Sequence, residues 1–274
     1  MMSVLYVVGT PIGNLQDFSP RAAETLREVD FIAAEDTRVT QKLLNHFQIK
    51  TPMVSYHEHN QRERGAMILD RILAGESCAV VTDAGMPCIS DPGEELVRLC
   101  ANAGIPVRAV PGPSAAVSAL AVSGLPTARF TFEGFLSTTR KNRMAHLEAL
   151  RGEQRTMIFY EAPHKLADTL RDLAECFGEE RRIALVRELT KVFEEVVRTT
   201  LGEAARHYRE TKPKGEFVLV IEGQRPEERP QPTLDEVVAK ARALVKAGAK
   251  ATDAAKTLAK DSPYSKAEIY RKLL

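Results

Sequence analysis

The sequence predicts an α/β protein: two strand-and-helix domains in series, then a small all-helical C-terminal domain. Three observations carry that expectation. Short apolar runs alternate with amphipathic stretches as far as Gly223, the pattern of buried strands joined by helices. The segment Arg225-Pro226-Glu227-Glu228-Arg229-Pro230-Gln231-Pro232 then breaks that pattern with proline and charge and no apolar side chain. Beyond it only helical periodicity remains. The length of 274 residues suits about two domains at ~150 residues each.

In chain order, Val4–Val8, Phe31–Ala34, Ala79–Thr82 and Val107–Val110 read as strands buried on both faces. Ser19-Pro20 and Asp91-Pro92 each set a capping side chain before a proline at a first helical position. Gly104 and Gly124 stand where helices stop. A mostly parallel sheet over residues 1–125 follows. The second domain, 126–224, has helices at Met144–Leu150 and Leu166–Phe177 and strands at Thr156–Tyr160 and Ile183–Val186. Val192–Thr199 follows a turn and reads as antiparallel pairing, and Phe217–Ile221 as a last buried strand, so this sheet is expected to be mixed. Residues 225–232 are the linker. The tail, 233–274, carries helices at Leu234–Val245, Asp253–Lys260 and Lys266–Leu274, the last two separated by Asp261-Ser262-Pro263 in the manner of a helix-turn-helix.

A composition of 44% hydrophobic and 27% charged residues excludes a disordered chain, a collagen and a coiled-coil rod. The longest small-and-apolar stretch, Ser114 to Leu125, is short of the ~20 residues that cross a bilayer. Met1-Met2-Ser3 carries no basic side chain ahead of Val4–Val8, so no signal peptide is read there. No membrane association and a cytoplasmic location are expected. Cys78, Cys88, Cys100 and Cys176 show no paired spacing and no histidine at zinc-ligand distance, which predicts reduced thiols and no metal. The net charge of +1 hides an asymmetry. Residues 225–274 hold 11 Lys/Arg against 7 Asp/Glu, while the rest hold 27 against 30. That is a basic appendage on a near-neutral body.

Three loops follow predicted strands. Gly9-Thr10-Pro11-Ile12-Gly13-Asn14 lacks the third glycine of a dinucleotide loop and the Gly-Lys-Ser/Thr of a phosphate loop; its plainer reading is a tight turn. Thr82-Asp83-Ala84-Gly85-Met86-Pro87-Cys88-Ile89-Ser90-Asp91-Pro92-Gly93 mixes small residues, prolines and acids, as pocket walls do, with Asp91 read as a helix cap. Pro111-Gly112-Pro113-Ser114-Ala115-Ala116 allows close backbone approach and offers a hydroxyl, or simply caps a helix. A parallel sheet brings all three to one edge, where open α/β sheets bind ligands.

These loops, with Ala34-Glu35-Asp36-Thr37-Arg38, Tyr160-Glu161-Ala162-Pro163-His164-Lys165 and Lys214-Gly215-Glu216-Phe217-Val218-Leu219, resemble the tetrapyrrole methylase superfamily over about residues 3 to 223. Ala-Glu-Asp-Thr-Arg and Ser-Asp-Pro-Gly resemble the branch that modifies ribosomal RNA, which also carries a small C-terminal domain. The resemblance implies two α/β domains of the tetrapyrrole methylase type with S-adenosyl-L-methionine folded in the cleft between them. It implies methylation of a ribose 2′-oxygen of a cytidine in the decoding region of small-subunit ribosomal RNA, by a homodimer. By position, Ile12 is the first-loop cofactor contact. Asp83, Gly85, Met86 and Ile89 belong to the loop closing on the methionine part, and Ser114 and Ala115 are a third contact. Tyr160, Leu189 and Gly215 supply the adenosine side. One departure is Gly85-Met86-Pro87, where the tetrapyrrole branch commonly has Gly-Asp-Pro.

Methyl transfer from a sulfonium needs alignment, exclusion of water and a base for a poorly nucleophilic hydroxyl, but no metal. Asp36 and Glu35 are the first candidates for that base, then His57 in Tyr56-His57-Glu58-His59-Asn60, with Asp83 a further one. The plainer roles are an ion pair between Asp36 and Arg38 and a solvated loop for the histidines. RNA phosphates call for cations, and Arg38, Arg140, Lys141 and Arg143 are the expected contacts, with Arg62 and Arg64 in similar positions. Lys246, Lys250, Lys256, Lys260, Lys266, Arg271 and Lys272 would add grip from the tail. An aromatic content of 6% without tryptophan speaks against single-strand binding by stacking. Two alternatives remain at this point. A methyltransferase for a tetrapyrrole-like small molecule needs no basic tail, and a non-catalytic RNA-binding scaffold would bind no donor.

Overall fold

The computed structural model describes residues 3–224 and 233–273, so the expected linker at 225–232 and the reading of Met1 and Met2 lie outside the described residues. The chain divides after Gln224 into two compact units.

In the first unit, β1 (Val4–Val8), β2 (Phe31–Ala34), β3 (Met53–Ser55), β4 (Ser77–Val81) and β5 (Val107–Val110) form a sheet in the order β3-β2-β4-β1-β5. Every neighbouring pair is parallel. The strands are connected by α1 (Pro20–Glu28), α2 (Thr37–His46), α3 (Gln61–Leu73) and α4 (Glu94–Asn102). Apolar side chains on both faces of each central strand explain the burial. Val8 and Ile32 pack with Leu26 and Leu44 on one side. Leu5 and Phe31 pack with Ile68, Ile72 and Leu96 on the other. β5 departs from the expectation of burial on both faces: Arg108 and Ala109 are exposed because β5 is the sheet's edge. Ser19 caps α1 as expected, its Oγ accepting from the Ala22 N–H at 3.1 Å. Asp91 does not cap α4. That helix starts at Glu94, and the position before it is Gly93, at φ 137°.

The second sheet has the order β6-β7-β10-β8-β9, with β6 (Phe130–Phe135), β7 (Thr156–Glu161), β8 (Arg182–Arg187), β9 (Glu195–Thr200) and β10 (Phe217–Ile221). Only β6 and β7 are parallel; β10 runs antiparallel to both neighbours, as β9 does to β8. The sheet is therefore mixed, with β10 at its centre and buried throughout. One face is covered by α6 (Arg140–Ala149), α7 (Pro163–Phe177) and α8 (Leu201–Glu210), through Leu147, Leu170 and Leu201 against Met157, Phe159 and Leu219. The other face receives α5 (Ala115–Ser123), whose Ala116, Ala119 and Leu120 lie on Ile158, Val186 and Val220. The sequence reading grouped this helix with the first sheet. Small residues on its buried side let it approach the second one, and the Ala116 N–H donates to Tyr160 Oη at 3.1 Å.

The second unit has α9 (Leu234–Lys246), α10 (Ala251–Lys260) and α11 (Lys266–Leu273) around Val237, Val238, Ala241, Ala254, Ala255 and Ile269. Thr233 and Glu236 form a reciprocal capping box at the start of α9. Among the described residues no helix is long and apolar enough to cross a membrane.

Candidate active site

Because β1, β2, β4 and β5 are parallel, their carboxyl ends share one edge, and the loops after them meet there. The Gly9 N–H donates to Val110 O at 3.1 Å. Thr10 and Gly85 exchange two backbone bonds, 2.9 and 3.2 Å, and Thr10 Oγ1 donates to Thr82 O at 3.0 Å. A Cβ on Gly9 would stand 2.7 Å from Gly112 Cα, so these two loops touch backbone to backbone. That contact, more than a tight turn, is what requires glycine here. Between this clasp and the second sheet lies a cavity of about 460 Å³. Small-molecule sites typically have ~300–1,000 Å³.

Of the ten residues that the resemblance assigned to a cofactor, nine line this cavity: Ile12, Asp83, Gly85, Met86, Ile89, Ser114, Ala115, Tyr160 and Leu189. Gly215 is not on the wall. Its φ of +82° and a Glu188 side chain 2.5 Å from where a Cβ would stand explain its glycine. It thereby makes room for the charge cluster in which Lys191 Nζ meets Glu188 at 2.8 Å and Glu216 at 2.9 Å. Lys191 and Glu216 face the cavity and were not anticipated, although they stand two residues after Leu189 and one after Gly215. Burial disfavours the Lys191 charge, but the two carboxylates outweigh it and its pKa is raised. Phe135 lines the mouth, 57% exposed, and no pattern in the sequence marked it.

The three expected bases separate. Asp36 is the N-cap of α2, bound by the Arg38 backbone N–H at 2.8 Å and in an ion pair with the Arg38 guanidinium at 2.6 Å. Those Arg38 bonds hold its carboxyl at about 2, and it does not line the cavity. Its observed role is the ion pair named above as the plainer one. His57 is also absent from the cavity wall; its Nε2 lies 3.2 Å from Asn60 Nδ2. Glu35 does line the cavity, accepting from Thr82 Oγ1 and from the Asp83 N–H at 3.3 Å. Two acids on the long loop complete the wall. Burial and the neighbouring Glu35 raise the pKa of Asp83. The same two causes push Asp91 up to about 6, against a lowering contact from the Thr82 hydroxyl. Asp91, taken from sequence for a helix cap, is thus a half-buried carboxyl in the cavity wall.

The expected RNA contacts also divide. Arg143 is a structural residue: it is 5% exposed, its Nε donates to Asp172 at 2.8 Å and its Nη1 donates to Ser137 O at 2.9 Å. It falls on the buried side of α6, one turn from the exposed Arg140 and Lys141. Arg140 binds Asp172 and Glu175, and Arg38 is exposed beside Asp36. Cys78, Cys88, Cys100 and Cys176 are free, and the described residues contain no cluster suited to a metal ion.

An open parallel sheet with ligand loops at one edge, facing a mixed sheet across a cavity, is the architecture of a two-sheet methylase. The family model described as "Tetrapyrrole (Corrin/Porphyrin) Methylases" matches residues 4–205, and the chain belongs to that family. Among curated proteins it is 49% identical to "Ribosomal RNA small subunit methyltransferase I" of Synechocystis sp. over 98% of this chain and 97% of that one. It is 45% identical to the protein of the same name from Bacillus subtilis, over 98% and 93%. Uroporphyrin-III-C-methyltransferase from Thermus thermophilus has the same fold, with TM-score 0.57 and 22% identity over 80% of this chain and 94% of that one. So does a diphthine synthase, with TM-score 0.61 and 16% identity over 80% and 90%.

The family's methyl donor is S-adenosyl-L-methionine. The cavity suits it chemically. Ile12, Met86, Val186 and Leu189 give apolar walls, and Gly85 leaves open a space that a Cβ would narrow to 3.2 Å from Ile12. Glu35, Asp83 and Asp91 supply the negative charge that a sulfonium cation favours.

Proposed function

We propose that this protein methylates small-subunit ribosomal RNA, and that the acceptor is the ribose 2′-hydroxyl of a cytidine in the decoding region. The observation that carries this reading is the similarity to proteins named for small-subunit ribosomal RNA methylation, which extends over 98% of the chain and so takes in the basic tail. The donor, when bound, supplies a methyl carbon made electrophilic by its sulfonium. The chain's own residues hold and orient it: Ile12, Met86, Ile89 and Leu189 by apolar contact, Gly85 and Ala115 by close backbone approach, and Ser114 and Tyr160 through hydroxyls. Asp83 and its neighbouring carboxylates balance the charge.

RNA would be met by the exposed Arg38, Arg140 and Lys141 and by the exposed tail residues Lys246, Lys250, Lys256, Lys260, Lys266 and Arg271. These recognise phosphates and shape on a folded subunit. A homodimer working in the cytoplasm completes the reading. The deciding experiment is transfer of labelled methyl to small subunits from cells lacking this activity, followed by mapping of the hydrolysis-resistant ribose. Label that appears only on a porphyrinoid would establish the small-molecule alternative, and an inability to bind the donor in calorimetry would establish the scaffold.

A further inference from the structure

The proposed reaction requires a group that takes the hydroxyl proton, and the cavity offers its carboxylates for that role. Glu35 accepts from the Thr82 hydroxyl and from the Asp83 N–H, so its Oε2 is already engaged by the protein. Asp83 Oδ1 accepts from the Asp36 N–H at 3.2 Å. Glu161 is 2% exposed and saturated by Thr169 Oγ1 at 2.6 Å, the Ala162 N–H at 2.9 Å and Lys165 at 3.1 Å. Glu216 is tied to Lys191. Asp91 is different: it faces the cavity, and among the described residues the contact that lowers its pKa is the Thr82 hydroxyl. Thr82 has a single hydroxyl proton for two carboxylates, and in this structure it is donated to Glu35.

We propose that Asp91 is the catalytic residue that accepts the proton of the ribose hydroxyl, with Thr82 as the hydroxyl it shares with Glu35. The inference rests on the function proposed above. In the step, the hydroxyl O–H bond breaks, its electron pair stays on oxygen and its proton passes to Asp91. The oxygen–methyl bond forms as the methyl–sulfur bond breaks, and that pair leaves on sulfur as a neutral thioether. Asp91 then gives the proton to solvent before the next turnover.

Glu35 and Asp83 face Asp91 from the first sheet, Tyr160 from the second, and Cys88 from its own loop. Lys191 stands on the same cavity wall with its charge offset by Glu188 and Glu216. Burial and Glu35 push Asp91 up to about 6 when the cavity holds no cation. A cationic donor favours the carboxylate, so donor binding must expel up to about half a proton there.

The test has two arms. Calorimetry of S-adenosyl-L-methionine binding in buffers of different ionisation enthalpy should show that release at pH 6, little at pH 8, and none from Asp91→Asn. Single-turnover methylation of small subunits at saturating donor should fall by roughly 10²–10⁴-fold in Asp91→Asn, the range for loss of a general base. Thr82→Val removes the shared donor, so the acid limb of its pH–rate profile should move to higher pH. Methylation by Asp91→Asn within tenfold of wild type overturns the proposal. So does an unshifted acid limb in Thr82→Val, or unchanged proton release in Asp91→Asn. If wild type itself releases the proton yet places no methyl on a ribose oxygen, the proposed function fails and the inference falls with it.

Discussion

Replacing Arg143 by Met should destabilise the first unit and leave RNA affinity unchanged. Asp172 is fully buried and receives two charge-assisted bonds from Arg143, 2.8 Å from Nε and 2.7 Å from Nη2. Removing one partner of a buried ion pair costs ~3–5 kcal/mol, because the other charge stays uncompensated. Arg140 at 3.2 Å and Arg171 at 3.3 Å remain beside Asp172, which places the cost near the low end, about 3 kcal/mol. That is about two powers of ten in the folded-to-unfolded ratio. It lowers the melting midpoint by ~6–12 °C for a unit of this size. The measurement is thermal and urea unfolding by circular dichroism. Combining Arg143→Met with Asp172→Leu removes the stranded charge and should recover most of the loss. The pH dependence has a definite sign. Burial raises the Asp172 pKa, but the arginines outweigh it and the pKa falls below the ordinary 3.8. The stabilisation is therefore complete at neutral pH and lost as pH falls below that value. An unchanged midpoint with weakened, salt-sensitive RNA binding would return Arg143 to the phosphate-contacting set and refute this reasoning.

Gly9→Ala forces a methyl against Gly112 Cα and Met86 Sδ, each 2.7 Å away. Overpacking of ~1–3 kcal/mol should weaken donor binding by about 5- to 150-fold in calorimetry. Asp36→Asn should keep turnover within about threefold of wild type, since an asparagine still caps α2. With the carboxyl held at about 2 by Arg38, no limb of the pH–rate profile between 5 and 9 belongs to it. Replacing the exposed Lys246, Lys250 and Lys256 by Gln should leave the donor Kd unchanged. It should lower the salt slope of small-subunit binding by about one unit per lysine that meets a phosphate.

The parts of the fold legible in the sequence were those where one local signal decided the matter. Val4–Val8 and Phe217–Ile221 are apolar without interruption because both faces are covered. Ser19-Pro20 is a helix start in which side chain and ring agree. β6 escaped notice because a bulge between Phe132 and Gly134 interrupts its alternation and its ends, Phe130 and Phe135, are exposed. Asp91-Pro92 carried a capping signature that tertiary packing overrode. Gly93, whose Cβ would run into Cys88, takes the turn instead, and the Asp91 side chain is left at the cavity. Arg143 sits in a run of basic residues whose helical phase buries one member, which a charge count does not reveal. The cofactor residues were named through resemblance. The convergence behind them was legible too, since parallel strands carry their loops to one edge. The Thr82–Glu35–Asp91 grouping was not, because it joins positions 47 residues apart through a single hydroxyl.

The chain passes from the first sheet to the second only once, through Pro111-Gly112-Pro113-Ser114 into α5. The two halves of the methylase body are thus tied by one short covalent seam, and a molecule seated in the cavity acts as mortar on both sides of it. Occupancy should make the halves melt as one block. At a hundredfold excess over Kd, the added stability should approach ~2.7 kcal/mol.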